Sequence, residues 1–245
     1  MSSEPERDSA PGEFLPWDSE FFGFRIGRFH AHRLTSASLP PALAWAAGQQ
    51  LRCAYFLADP GDAGTLARAH EGGFKFVDLR VDFAADLAGG ADAAPDTRLR
   101  PATEADLPGL EALARVSHQD TRFFKDTHFP ADRAAELYAA WIRRDFKVNR
   151  IFVAAGTETD LAGYVTCQVD AAAKLGRVGL IAVAESARNR GLGRALVAAA
   201  QRHFRAAGCT QAKVATQGSN LVAQRLYQAQ GFRTAETCAT FHRWF

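Results

Sequence analysis

Arg188, Arg190 and Arg194 surround two glycines in the run Arg188-Asn189-Arg190-Gly191-Leu192-Gly193-Arg194-Ala195. The apolar stretch Leu180-Ile181-Ala182-Val183 precedes it, so the expected local order is strand, turn, helix. A helix N-terminus presents unpaired N–H groups and the positive end of the macrodipole. The guanidinium groups add full charge, and Gly191 and Gly193 remove side chains that would hold a ligand off the backbone. That combination suits a pyrophosphate.

Two other phosphate loops do not fit. A dinucleotide turn needs G-x-G-x-x-G, and here Arg-Ala-Leu follows the first two glycines. A Walker loop needs Lys and Ser or Thr after its last Gly, and that pattern is absent. A second pattern begins 27 residues after Gly193: Asn220-Leu221-Val222-Ala223-Gln224-Arg225-Leu226-Tyr227-Gln228-Ala229-Gln230-Gly231-Phe232. Asn220 suits an N-cap and Gly231 a C-cap. Ala223, Leu226, Tyr227 and Gln230 share one helical face.

The elements that must position these residues follow from periodicity and punctuation. Residues 1–13 read as a disordered tail, and Leu15 to Phe24 as an aromatic loop. Strands are expected at 24–29, 55–58 and 74–83, and helices at 43–51 and within 61–70. The Ala-, Gly- and Asp-rich stretch 85–96 reads as a linker between a small domain over 14–84 and a larger one over 97–245. In the larger domain Thr103 and Asp106 form a capping box. A helix runs from Pro130 to about Asp145 with Leu137, Trp141 and Ile142 inward. Strands follow at 151–155, 161–169 and 178–183, then a helix at 191–207 with Val197, Ala200 and Phe204 buried. A strand at 212–216, the Asn220 helix and a strand at 234–244 complete the chain. Leu66–Phe83 repeats the helix–Gly-Phe–strand layout of Leu226–Phe241. The fold class is α/β with a mixed sheet, and the N-terminal part reads either as a truncated copy of the larger half or as a chance likeness of two helix–Gly–strand units.

The chain has 245 residues, 47% of them hydrophobic and 23% charged, as in an ordinary globular protein. No apolar run reaches the roughly 20 residues of a membrane span. Cys53, Cys167, Cys209 and Cys238 are scattered and read as reduced packing residues; no metal site is expected. The first 14 residues lack a basic-then-apolar pattern, so a cytoplasmic protein without secretory leader is expected. Residues 1–95 hold 8 Lys and Arg against 13 Asp and Glu, while the remainder holds 21 against 14. The basic half carries both motifs, as an anionic ligand requires. The basic residues are dispersed, which speaks against nucleic acid.

R-x-x-G-x-G (Arg188, Gly191, Gly193) resembles the acyl-CoA-binding loop of the Gcn5-related N-acetyltransferase (GNAT) superfamily. N-x-x-A-x-x-L-Y-x-x-x-G-F from Asn220 resembles its second motif. Two further segments, Leu15 to Phe24 and Thr121 to Pro130 followed by Tyr138 to Ile142, resemble the nucleotide-sugar N-acetyltransferases of the dTDP-fucosamine type. The resemblance implies a GNAT fold, acetyl-CoA as co-substrate, and acetylation of the 4-amino group of a dTDP-4-amino-4,6-dideoxyhexose. It also implies a homodimer.

Within that resemblance, Leu180–Val183 would align the pantetheine arm as an added strand, and an N–H there can polarise the thioester carbonyl. Arg188 to Ala195 would hold the pyrophosphate. Tyr227, protonated at neutral pH, can give the leaving thiolate its proton. Asn220 can bond the pantetheine or the substrate, or serve only as N-cap. Trp17 and Phe22 can stack a thymine or simply pack, and Arg122 can meet the sugar nucleotide's pyrophosphate or stay solvated. Asp18, His118 and His128 can take the amine proton, although the two histidines read first as surface residues. Many family members carry Pro where this chain has Glu185, which could repel phosphate if it pointed inward. The alternatives are an acetyltransferase for protein N-termini or small amines, and a CoA-binding module without catalysis.

Overall fold

The computed structural model describes residues 10–89, 94–156 and 160–245. The chain forms two compact units that share two strands: residues up to Arg80 with Thr237–Phe245, and Val81–Glu236.

The first unit contains β1 (Gly12–Phe14), α1 (Pro16–Phe22), β2 (Ile26–Phe29), α2 (Leu39–Gly48), β3 (Cys53–Ala58), α3 (Ala63–Glu71) and the start of β4 (Lys75–Asp86). β1 pairs antiparallel with β2, and β2 parallel with β3. Its core gathers Phe29, Leu34, Phe56, Phe74 and Phe241. The second unit continues through β5 (Leu99–Pro101), α4 (Leu107–Ser117), α5 (Arg122–Lys125), α6 (Ala131–Val148), β6 (Arg150–Ala155), β7 (Leu161–Asp170) and β8 (Leu175–Val183). Then come α7 (Leu192–Ala206), β9 (Gln211–Gln217), α8 (Leu221–Ala229) and β10 (Arg233–Trp244), whose end pairs antiparallel with β3 in the first unit. Strand order in the second unit is β4-β9-β8-β7-β6-β5. β5 to β8 are antiparallel neighbours, and β8 and β9 are parallel.

Glycines set how closely α7 approaches this sheet. A Cβ on Gly176 would lie 2.2 Å from the Phe204 ring, and one on Gly163 3.2 Å from Leu196. α7 therefore covers the face carrying the odd-numbered residues of β7. The opposite face carries Tyr164, Thr166 and Gln168. There a Cβ on Gly179 would lie 3.3 Å from Asp145 of α6.

Several elements differ from expectation. Residues Pro16–Phe22 form a helix rather than a loop, with Pro16 in its first turn and Gly23 (φ 77°) closing it. Of the tail expected over 1–13, residues 1–9 lie outside the described residues and Gly12 and Glu13 belong to β1. β4 runs through Asp86 into the segment read as a linker, of which residues 90–93 lie outside the described residues. β8 starts at Leu175, not Val178, because Gly176 and Gly179 interrupt the apolar signal of its first half. The last nine residues join the first unit, although the sequence places them with the larger domain. Both halves of the internal echo take the helix–glycine–strand form, turning at Gly73 (φ 76°) and Gly231 (φ 83°).

Candidate active site

The site begins where two parallel strands part. β8 pairs with β9 from Leu175 to Val178, opposite Gln211 to Val214, and the pairing stops there although both strands continue. The register between β7 and β8 shifts between Val165 and Cys167. At this irregularity the Leu180 N–H donates to Thr166 Oγ1 at 2.9 Å. Ala184 N–H donates to Ala162 O, also towards β7. Strand alternation then turns the N–H and C=O of Ile181 and Val183 to the other edge, where β9 has separated. Ile181 and the Val183 N–H thus offer backbone groups to a ligand, whereas the Leu180 N–H is already used and the Val183 carbonyl accepts from Arg188 Nε at 3.4 Å.

The turn into α7 supplies the charge. Glu185 to Ala187 form a 3-10 turn, followed by Asn189 (φ 61°) and Gly191 (φ 76°), both left-handed. Gly191 is the N-cap of α7 and no side chain caps the helix. The first bond within the helix is Ala195 N–H to Gly191 O, which leaves the Leu192, Gly193 and Arg194 N–H groups directed out of the helix start. A Cβ on Gly193 would lie 3.2 Å from Leu226 of α8. Glycine there permits the close approach of the two helices.

α8 closes the other side. Asn220 Oδ1 accepts from Ala223 N–H at 3.0 Å, so Asn220 does cap this helix. The Gln224 side chain donates to Gly218 O at 2.9 Å and fixes the preceding turn. Tyr227 is 3% exposed, with its ring beside Phe83 and Phe232. Burial pushes its hydroxyl pKa well above the ordinary tyrosine value. The phenol is therefore fully protonated at neutral pH.

These elements enclose a groove of about 840 Å³ within the second unit. Ile181, Ala182 and Val183 form one wall, Arg188 and Gly191 to Arg194 one end, and Asn220, Arg225, Leu226 and Tyr227 the opposite side. Ser117, at the end of α4, completes it. Asn189 also lines it, whereas Leu180, Arg190 and Ala195 do not. The Arg190 backbone carbonyl accepts from Arg98 at 2.9 Å. Glu185 is exposed and does not line the groove. Arg225 and Ser117 line the groove without having been singled out in the sequence; Arg225 lies off the helical face of Ala223, Leu226 and Tyr227, so the periodicity gave no signal for it.

The groove does not gather the residues expected on the acceptor side. Trp17, Asp18 and Phe22 lie on α1 of the first unit. There Trp17 stacks on Phe21 at 5.3 Å and Phe22 on Phe24 at 5.9 Å, while Phe24 meets Trp244. Arg122 starts α5, its guanidinium 4.7 Å from the Phe123 ring. His128 is exposed and hydrogen-bonded to Asp126, as a surface histidine. His118 is not: it is partly buried, stacked on Tyr138 at 4.8 Å, with Nε2 2.8 Å from the Tyr164 hydroxyl. Burial lowers its pKa to about 4, so the ring is neutral at pH 7. The expectation of a surface residue fails because α6 and β7, distant in sequence, close over it.

Residues 113–232, the segment that builds the whole groove, match the acetyltransferase (GNAT) family. The chain is 27% identical over 235 residues to dTDP-fucosamine acetyltransferase of Escherichia coli O6:H1, covering 94% of this chain and 97% of that protein. A GCN5-related N-acetyltransferase from Sphaerobacter thermophilus superposes with a TM-score of 0.65 at 13% identity, over 95% of this chain and 76% of that one. A protein of unknown function from Staphylococcus epidermidis does so with a TM-score of 0.68 at 11% identity, over 98% and 93%. At those identities the two structures speak for the fold alone. The parted strands, the uncapped arginine-rich helix start and the match over this segment mark the chain as an acyl-CoA-dependent N-acetyltransferase that resembles the GNAT family.

Proposed function

We propose that the protein transfers the acetyl group of acetyl-CoA to the 4-amino group of a dTDP-4-amino-4,6-dideoxyhexose. The observation carrying the acceptor class is the likeness, over nearly the full length of both chains, to a dTDP-fucosamine acetyltransferase. The thioester supplies the activated acyl group; the chain's own residues do the rest. Leu192 to Arg194 N–H groups, with Arg188 and Arg194, hold the diphosphate. Ile181 and Val183 pair with the pantetheine amides as β9 would have done, and their N–H groups face the carbonyl that gains negative charge. Tyr227, held protonated by burial, donates to the departing sulfur. Asn220, already the cap of α8, lines the same groove and is assigned a hydrogen bond to the pantetheine or the substrate.

On the acceptor side the proposal keeps Trp17, Phe22, Asp18 and Arg122 as nucleotide-sugar residues, supported by the resemblance of their segments to the sugar enzymes. The chain is proposed to act as a homodimer in the cytoplasm. Mass spectrometry of a reaction with acetyl-CoA and dTDP-4-amino-4,6-dideoxygalactose tests the reading: the nucleotide sugar gains one acetyl group. An unmodified sugar nucleotide, with acetylated peptide in a parallel reaction, would replace it with acetylation of protein N-termini.

A further inference from the structure

Neither His118 nor Tyr164 lines the groove, but each adjoins a residue that does, and the two are hydrogen-bonded to each other. Ser117 and Ala182 both line the groove. His118 is the next residue after Ser117, and Tyr164 is the cross-strand partner of Ala182. These two neighbours are bonded to each other, His118 Nε2 to Tyr164 Oη at 2.8 Å. The pair is firmly held. Tyr164 is fully buried, and Tyr138 stacks on the imidazole while its own hydroxyl donates to Thr121 Oγ1 at 2.7 Å. Burial first, then the fields of Tyr138 and of the buried Asp145 of α6, raise the Tyr164 phenol pKa and keep it protonated. Among the described residues His118 Nδ1 has no hydrogen-bond partner.

From this geometry we infer that His118 takes the proton from the attacking amine, with Tyr164 as the residue that fixes its tautomer. Tyr164 Oη accepts from Nε2–H, which leaves the Nδ1 lone pair for the substrate. The balance closes as follows. The amine nitrogen bonds to the acyl carbon, the C–S bond breaks, sulfur takes the Tyr227 proton, and the surplus proton on nitrogen passes to Nδ1. Solvent then returns a proton to Tyr227. Burial makes this imidazole a weak base, so it takes the proton only as the C–S bond breaks and the nitrogen becomes the strongly acidic N–H of a protonated amide, and it then releases that proton quickly to solvent. The inference rests on the acetyl-transfer reading but not on which amine is the acceptor.

The test compares His118→Gln, His118→Ala and Tyr164→Phe with wild type, using an amine that wild type acetylates. Gln keeps a group that can bond Tyr164 but has no basic nitrogen. The expected result is a fall in kcat of about 100-fold in His118→Gln and His118→Ala, with acetyl-CoA affinity and amine KM kept, and partial recovery of His118→Ala by added imidazole. Tyr164→Phe should lose less, about 10-fold. Full activity in His118→Gln would overturn the inference and leave His118 a packing residue. Loss of acetyl-CoA binding in both His118 variants, with no imidazole rescue, would do the same. Failure of wild type to acetylate any amine would instead overturn the transferase reading itself.

Discussion

Val178 of β8 and Val214 of β9 are the last pair in a parallel ladder that both strands outrun. Everything the groove offers a ligand depends on that separation. A strand edge left unpaired in the middle of a sheet is ready to accept an extended chain. Here the edge belongs to Ile181 and Val183, and the uncapped start of α7 lies at its end.

Tyr227→Phe removes only the hydroxyl from a ring packed on Phe83 and Phe232. Steady-state kinetics should show kcat reduced by about 10²–10⁴-fold, with the acetyl-CoA Kd unchanged. Because burial raises the hydroxyl pKa, wild-type kcat should show no alkaline limb from this group up to pH 10. Near-normal turnover in the variant would remove Tyr227 from the mechanism.

Arg188→Ala and Arg194→Ala each delete a guanidinium from the diphosphate end of the groove. Calorimetry should show acetyl-CoA binding weakened about 10- to 100-fold by either change. The wild-type affinity should fall with added salt more steeply than that of either variant. Arg190→Ala, outside the lining, should change affinity far less.

Gly191→Ala tests the backbone of the same turn. Nothing lies within 4 Å of the added Cβ, so no clash arises, but φ is 76° and a left-handed conformation costs an L-residue about 1–2 kcal/mol. The melting temperature should fall by about 3–6 °C. Acetyl-CoA affinity should fall too, because the turn relaxes away from its ligand-holding shape.

Asp106 joins the α4 start to β5. It accepts from both Arg100 guanidinium nitrogens at 2.6 and 2.7 Å and from the Thr103 N–H at 2.7 Å. The bond to Arg100, then the Thr103 bonds, hold its carboxyl far below the usual carboxylate range, against the effect of burial. A depressed folded pKa gives stability that is present above the unfolded value near 4 and lost as pH falls towards the folded one. Half of Arg100 is solvent-exposed, so its share is screened. Asp106→Asn should cost about 1 kcal/mol at pH 7 in denaturant unfolding. The gap between variant and wild type should narrow below about pH 4.

The groove was legible in the sequence to the extent that local signals define it. The glycines and arginines before α7, and Asn220 and Gly231 around α8, announce helix ends that tertiary packing has no reason to override. The separation of β8 from β9 was not legible, because strand partners are set by the whole sheet and no residue type marks a missing pair. α1 was missed because its aromatic residues mask a seven-residue helix whose one start signal is Pro16. His118 was misread for a similar reason. It precedes the polar run Gln119-Asp120-Thr121-Arg122, and its burial comes from Tyr138 and Tyr164, 20 and 46 positions away. The placement of β10's end in the first unit rests on pairing with β3, about three quarters of the chain away.

The most direct measurement is free-thiol release from acetyl-CoA by the purified protein with a panel of amines. The panel holds dTDP-4-amino-4,6-dideoxy-galactose and -glucose, a UDP-amino sugar, the matching free sugars, and a peptide with a free N-terminus. The account predicts turnover with a dTDP-linked amino sugar and none with the free sugar or the peptide. Turnover with the peptide alone would contradict the assigned acceptor and leave the acetyl-CoA groove standing.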